Sequence, residues 1–269
     1  MDLQLTGRRA LVTGGSSGIG KAVVRALTAE GAVVTVHGRN PERVRRLVAS
    51  VEEQGGTAHG VIGDFVDPAA VHRVAEEALA ALGGVDILIN AAGGRTAADP
   101  EQWSCIRSTV WHDTFQLNVV APAVLASALV PHMRRRNWGR IIHVSSAAVF
   151  CSLAGNPEYS ACKASLAAMT VSLMQDLAGT AITVNTVSPG ATGTPGLLGA
   201  MGEQARLRGL PDDDECLRTR ALEFWPCATG RLADAAEVAS LVAYLAGERG
   251  AFVNGANLRI DGGRGGVVT

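Results

Sequence analysis

The chain has 269 residues, 47% hydrophobic and 18% charged, so it can bury one large core as an ordinary α/β domain. A net charge of −1 with dispersed basic residues argues against a nucleic-acid or anionic-membrane surface, and Arg134-Arg135-Arg136 reads as a solvated helix end. Five cysteines with no Cys-x-x-Cys pair and no zinc-type spacing to the six histidines point to reduced thiols and no metal, and the lack of a leader or membrane-length apolar run points to the cytoplasm.

In chain order, residues 10–13 form a short apolar strand, followed by Gly14-Gly15-Ser16-Ser17-Gly18-Ile19-Gly20 and a helical pattern to residue 30. Strand, glycine turn and helix together are the setting of a phosphate-binding loop. Glycine at 14, 18 and 20 removes the Cβ atoms that would hold the backbone away from a pyrophosphate. A second strand, 33–37, ends in Gly38-Arg39-Asn40, and a helix begins after Pro41. In an NAD site of this architecture an acidic residue about 20 positions past the glycines holds the ribose 2′-hydroxyl. Here Arg39 stands at the strand tip, where a guanidinium can pair with a 2′-phosphate, so NADP(H) is favoured over NAD(H). The alternative is a solvated loop arginine.

The alternation continues with a strand at 58–62, Asp64 beyond it, a helix at 68–82 and a strand at 85–89 ending in Asn90-Ala91-Ala92-Gly93. Such alternation means parallel β-α-β units, whose ligands lie beyond the carboxyl ends of the strands. A long helix over 109–136 carries Asn118, which by itself reads as an ordinary buried amide. The strand 140–144 leads through Ser145 and Ser146 to a helix bearing Tyr159 and Lys163. Four residues apart, these two share one helix face. An unperturbed tyrosine ionises near pH ~10, and a cation favours the phenolate, so Lys163 is expected to bring Tyr159 towards acid/base work.

A strand at 182–187 runs into Ser188-Pro189-Gly190, and residues 191–230 then read as the least regular part of the chain. A lid over 191–229 is expected there, with Leu197, Leu198, Met201, Leu222, Phe224 and Trp225 available to cover an apolar substrate. Packing against a neighbouring subunit is the equal alternative. A helix at 235–245 and a strand at 257–260, running into Asp261-Gly262-Gly263, close the chain.

With Thr13-Gly14-Gly15-Ser16-Ser17-Gly18-Ile19-Gly20, Asp64, Asn90-Ala91-Ala92-Gly93, Asn118, Ser146, Tyr159-x-x-x-Lys163, Pro189-Gly190 and Asp261-Gly262-Gly263 in this order, the sequence resembles the short-chain dehydrogenase/reductase family over nearly its whole length. The resemblance implies a single-domain Rossmann fold spanning 1–269, a doubly wound, mainly seven-stranded parallel sheet with helices on both faces. It implies a catalytic tetrad of Asn118, Ser146, Tyr159 and Lys163. Tyr159 would protonate the substrate carbonyl oxygen, Ser146 would hydrogen-bond it, Lys163 would hold the nicotinamide ribose, and Asn118 would hold a water linking Lys163 to solvent. Gly14, Ser16, Ser17, Gly18, Ile19, Gly20, Arg39, Asp64, Asn90, Gly93, Pro189, Gly190, Thr192 and Thr194 would complete the cofactor site, with Asp64 at the adenine, Asn90 and Gly93 at the adenosine ribose and Thr194 at the carboxamide.

The chain departs from the common pattern at Ala91, usually asparagine, at Ser17, basic in many NADP-preferring members, and at Thr192, usually a branched apolar residue. A weaker resemblance, in 110–119 and the lid, is to bacterial ketoreductases of β-ketoacyl or polyketide-derived substrates. Trp103, Trp111, Phe150 and Trp225 face either substrate or packing partners. The implied function is NADPH-dependent reduction of a small-molecule ketone. The alternatives are NAD-linked alcohol oxidation and a dinucleotide-binding sensor or scaffold without turnover. A homotetramer or homodimer is also implied, with helices 109–136 and 159–178 and the final strand at its interfaces.

Overall fold

Apolar, β-branched runs that are buried on both faces become the strands of one parallel sheet. A computed structural model describes residues 1–96, 103–151 and 155–264. In chain order the sheet and its helices are β1 (Arg9–Thr13), α1 (Gly18–Ala29), β2 (Val33–Gly38), α2 (Pro41–Glu53), β3 (Thr57–Ile62), α3 (Pro68–Leu82) and β4 (Ile87–Asn90). There follow α4 (Ser108–Phe115), α5 (Ala121–Arg136), β5 (Gly139–Val144), α6 (Pro157–Asp176) and β6 (Ile182–Pro189). The last elements are α7 (Pro195–Leu207), α8 (Asp214–Phe224), α9 (Ala235–Ala246) and β7 (Asn257–Ile260).

The seven strands lie in the order β3-β2-β1-β4-β5-β6-β7, every neighbouring pair parallel. The order reverses between β1 and β4, so a crevice opens beyond their carboxyl ends, where ligands of such sheets bind. One core joins the sheet to α1, α2 and α9 through Val23, Leu27, Val44 and Val242; the other joins it to α3 and α5 through Val74, Leu125, Leu129 and Met133. Each such side chain, fully buried, contributes about 1.5–3 kcal/mol. This is the doubly wound single-domain fold that the sequence resemblance implies.

Local chemistry sets the helix starts. Asn40 and Asp67 cap α2 and α3 by accepting from the backbone N–H groups of Arg43 and Ala69, each followed by proline at the first helical position. Asp234 and Glu237 form a reciprocal capping box on α9.

Three expectations need correction. The helix read as 109–136 is interrupted by a π-helical turn at Gln116–Val120 that joins α4 to α5. The joined helix Ser108–Arg136 also has the length and hydropathy of a membrane span, contrary to the reading that no apolar run is long enough; its inner face is spent on the sheet. Residues 191–230 are not irregular, because α7 and α8 occupy most of them. Thr194 and Asp213 accept the N–H groups of Leu197 and Cys216 as caps, and Met201, Ala205, Leu217 and Ala221 bury a small core between the two helices. Pro195 stands at the first position of α7, and Asp213 to Glu215 form the cap and acidic first turn of α8.

Candidate active site

The glycine loop between β1 and α1 is held open by contacts only glycine allows. Gly14 has φ +63°, and a Cβ there would come within 2.8 Å of the Ala92 backbone; a Cβ on Gly20 would strike the Gly14 carbonyl. Gly14 N–H donates to His37 Nδ1 at 3.2 Å, and His37 Nε2 lies 3.0 Å from the Gly63 carbonyl, which assigns the ring proton to Nε2. The ring stacks on Phe65 at 4.0 Å, and burial pushes its pKa down to about 4, so His37 is a neutral strut under the loop. Sequence reading missed this residue, since one histidine in an apolar strand carries no spacing signal.

Ser17 begins α1 without a side-chain cap, leaving the first-turn amides for a ligand, and Gly18 at φ +52° faces the Thr194 side chain. Ser16 packs its hydroxyl against Gly38 at the tip of β2. Next to it Arg39, largely exposed, lies 3.8 Å from Asp64 at the end of β3. A surface pair at that distance is worth at most about 1 kcal/mol, so Arg39 remains available to a stronger anion. The open helix end, the glycine cradle and the basic strand tip together fit a phosphorylated dinucleotide.

Thr13 Oγ1 accepts the N–H groups of Ala91 and Ala92 at 3.1 and 3.0 Å, fixing the chain after β4. Asn90 is buried; its Nδ2 lies 3.1 Å from His143 Nδ1, and its Oδ1 has no partner among the described residues. His143 is held neutral with a pKa of about 4 by burial and then by the Lys163 charge. Gly93 sits between two polar groups: a Cβ there would come within 2.7 Å of Asn118 Oδ1 and 2.9 Å of Lys163 Nζ.

Asn118 belongs to the π turn. Its Nδ2 donates to the carbonyls of Gly94 and Thr114, both at 2.8 Å, and its Oδ1 accepts the Gly94 N–H at 3.1 Å. An interrupted helical ladder leaves such a carbonyl free for a side chain. Lys163 is buried and donates from Nζ to the Val144 carbonyl at 3.0 Å, while Ser145 Oγ donates to the Lys163 carbonyl at 2.8 Å. Burial lowers the Lys163 pKa to about 8.

Ser146 Oγ accepts the Ala148 N–H at 3.1 Å, and its hydroxyl also hydrogen-bonds Tyr159. Lys163 Nζ lies 5.6 Å from the Tyr159 ring centre. The direction expected for Tyr159 is reversed: burial raises its pKa, and the opposing pull comes from a hydrogen bond with Ser146 rather than from the lysine charge. Beside it, Glu158 is fully buried and pairs with Arg95 at 2.7 Å, tying the loop after Gly93 to the start of α6. Nothing in the motif spacing pointed to that pair.

Ser146 and Tyr159 line a cavity of about 270 Å³ together with Ile19, Pro189, Gly190, Thr192 and Thr194. Leu197 of α7 and Trp225 after α8 also line it. Of the four aromatics considered, Trp225 is the one in this wall. Trp103 packs on Trp111 at 5.8 Å, and Phe150 lies under the Arg259 guanidinium. Two hydroxyls in one cavity are an arrangement suited to hydrogen-bonding and protonating one oxygen.

Residues 8–201 match the profile of the family described as short chain dehydrogenase. An uncharacterized oxidoreductase, YvrD of Bacillus subtilis, is 33% identical over 98% of each chain. The 3-oxoacyl-[acyl-carrier-protein] reductase FabG of Salmonella typhimurium is 31% identical over 97% of this chain and 98% of its own. Among solved structures, L-sorbose reductase from Gluconobacter frateurii complexed with NADPH and L-sorbose superposes with a TM-score of 0.93, at 30% identity and full coverage of both chains.

Proposed function

Because the chain belongs to the short-chain dehydrogenase family, we propose that this oxidoreductase uses NADPH to reduce a ketone to a secondary alcohol, with Tyr159 as proton donor. The observation that carries the reading is the pair of hydroxyls, Ser146 and Tyr159, in one cavity with Pro189, Gly190, Thr192 and Thr194. NADPH, when bound, supplies the hydride.

The chain's own residues do the rest. The α1 amides with Ser16, Ser17, Gly18, Ile19 and Gly20 hold the pyrophosphate, aided by Gly14, and Arg39 takes the 2′-phosphate. Asp64 meets the adenine, Asn90 and Gly93 line the adenosine ribose, and Pro189, Gly190, Thr192 and Thr194 hold the nicotinamide end. Ser146 exchanges its hydrogen bond with Tyr159 for one donated to the substrate carbonyl oxygen, and Tyr159 passes its proton to that oxygen as negative charge develops. Lys163 supplies the local positive charge and holds the nicotinamide ribose hydroxyls. Asn118 acts as a positioning residue, keeping Gly93 and Gly94 in place beside Lys163.

Arg39 in place of an acidic residue supports NADP(H), as does similarity to a reductase complexed with NADPH. A ketone of β-ketoacyl, cyclic or polyketide-derived type is the substrate class, with α7, α8 and Trp225 as the lid. A homotetramer or homodimer is supported by the exposed Val120, Val171 and Phe252, which lie on or beside the elements expected at its interfaces. The test is loss of NADPH absorbance with a panel of such ketones, with Tyr159→Phe as the control.

A further inference from the structure

The wall of the Tyr159 cavity is apolar or neutral except at Arg264. This residue also borders an adjoining cavity of about 160 Å³, and with Trp225 it marks where the two meet. A built turn brings it there from the end of β7. Asp261 Oδ1 accepts the Gly263 N–H at 3.1 Å, Gly262 and Gly263 adopt φ of +64° and +79°, and the Asp261 carbonyl accepts the Arg264 N–H at 3.3 Å. The Thr229 N–H donates to the Gly262 carbonyl at 3.1 Å, fastening the turn to the chain after Trp225.

Charge accounting around the two cavities leaves one group over. Asp261 is paired with Arg259 at 2.7 Å, and Glu237 is paired with Arg231 at 2.6 Å. Among the described residues no carboxylate pairs with Arg264, and no hydrogen bond engages its guanidinium. A half-buried arginine whose guanidinium has no partner among the described residues, at the rim of the cavity, suits a planar anion, which that group can bind through two parallel hydrogen bonds.

We propose that Arg264 is the specificity-determining residue of this site and selects a small ketone that bears a carboxylate. This rests on the reductase reading, since it uses the same cavity. The carbonyl lies at Ser146 and Tyr159, and the carboxylate lies at the junction beside Trp225. No bond changes at Arg264, which binds and orients the substrate.

The test measures binding without turnover, by calorimetric titration of the NADPH-loaded protein with cyclohexanecarboxylate and with cyclohexanecarboxamide. The wild type is expected to prefer the carboxylate by roughly tenfold or more. Arg264→Gln brings the ratio near one, Arg264→Lys keeps part of the preference, and thermal melts of both variants confirm that they fold. The proposal is overturned if the amide binds the wild type as tightly as the acid, if no carboxylate binds, or if Arg264→Gln keeps the preference. It is also overturned if that variant loses NADPH affinity instead, which would place Arg264 on the cofactor. Should no ketone be reduced in a separate assay, the reductase reading fails while this ratio still decides the role of Arg264.

Discussion

Lys163 reaches back across the start of α6 to the Val144 carbonyl at the end of β5, 3.0 Å away, and does so as a buried cation. Burial disfavours the charged form, and no carboxylate appears among the influences on it, so its pKa falls to about 8. The chain has only two lysines, Lys21 and Lys163. With 13C-labelled lysine, one of the two NMR signals should titrate near pH 8. A folded pKa below the unfolded one means that the unfolded chain binds more protons between the two values. This contribution to stability is therefore flat below pH 8 and grows as pH rises from about 8 to 10.5. Both lysine signals titrating together above pH 10 would contradict the buried, unpaired setting.

Asn118 makes three bonds to the backbone of Gly94 and Thr114. Asn118→Ala leaves those buried groups unsatisfied at about 1–3 kcal/mol each, so a loss of several kcal/mol in denaturant unfolding is expected. Gly93→Ala leaves the Asn118 amide itself intact but drives a methyl against its Oδ1 and against Lys163 Nζ. It should lower kcat more than it lowers the melting temperature. Equal kcat in wild type and Gly93→Ala would show that this crowding does not matter.

Arg39 is the one basic group on which the proposed NADP(H) preference rests. Arg39→Ala should weaken NADPH binding by about tenfold or more while leaving NADH binding within about twofold, because only the 2′-phosphate is lost as a partner. Fluorescence titration with both cofactors reads this directly. Parallel weakening of the two would move the arginine's role elsewhere.

Arg95 and Glu158 form a buried pair beside Tyr159. Arg95→Met strips the fully buried carboxylate of this partner and should cost about 3–5 kcal/mol, seen as a clear drop in melting temperature. The double change Arg95→Met with Glu158→Leu should recover much of it, since an apolar pair removes the stranded charge. No recovery would mean that the carboxylate has other essential bonds.

The strand ends were legible in the sequence because a glycine turn after an apolar run and a tyrosine four residues from a lysine are local patterns. Of the residues they singled out, Ile19, Ser146, Tyr159, Pro189, Gly190, Thr192 and Thr194 line one cavity. Tertiary contacts carry no such local mark. The π turn at Asn118 depends on Gly94, and the support of Gly14 depends on His37 and on Phe65 beneath it. Burial is likewise invisible in a motif, which is why the tyrosine pKa moves up rather than down. The helices α7 and α8 were missed for a different reason. Their capping residues, Thr194-Pro195 and Asp213, are the same residue types that punctuate loops.

The central claim is that Tyr159 protonates a substrate oxygen in the cavity it shares with Ser146. The most direct measurement is single-turnover NADPH oxidation with a reducible ketone in wild type, Tyr159→Phe and Ser146→Ala. Loss of the proton donor should slow the chemical step by about 10²–10⁴-fold, with NADPH affinity retained in both variants. Tyr159→Phe turning over at the wild-type rate would contradict the account.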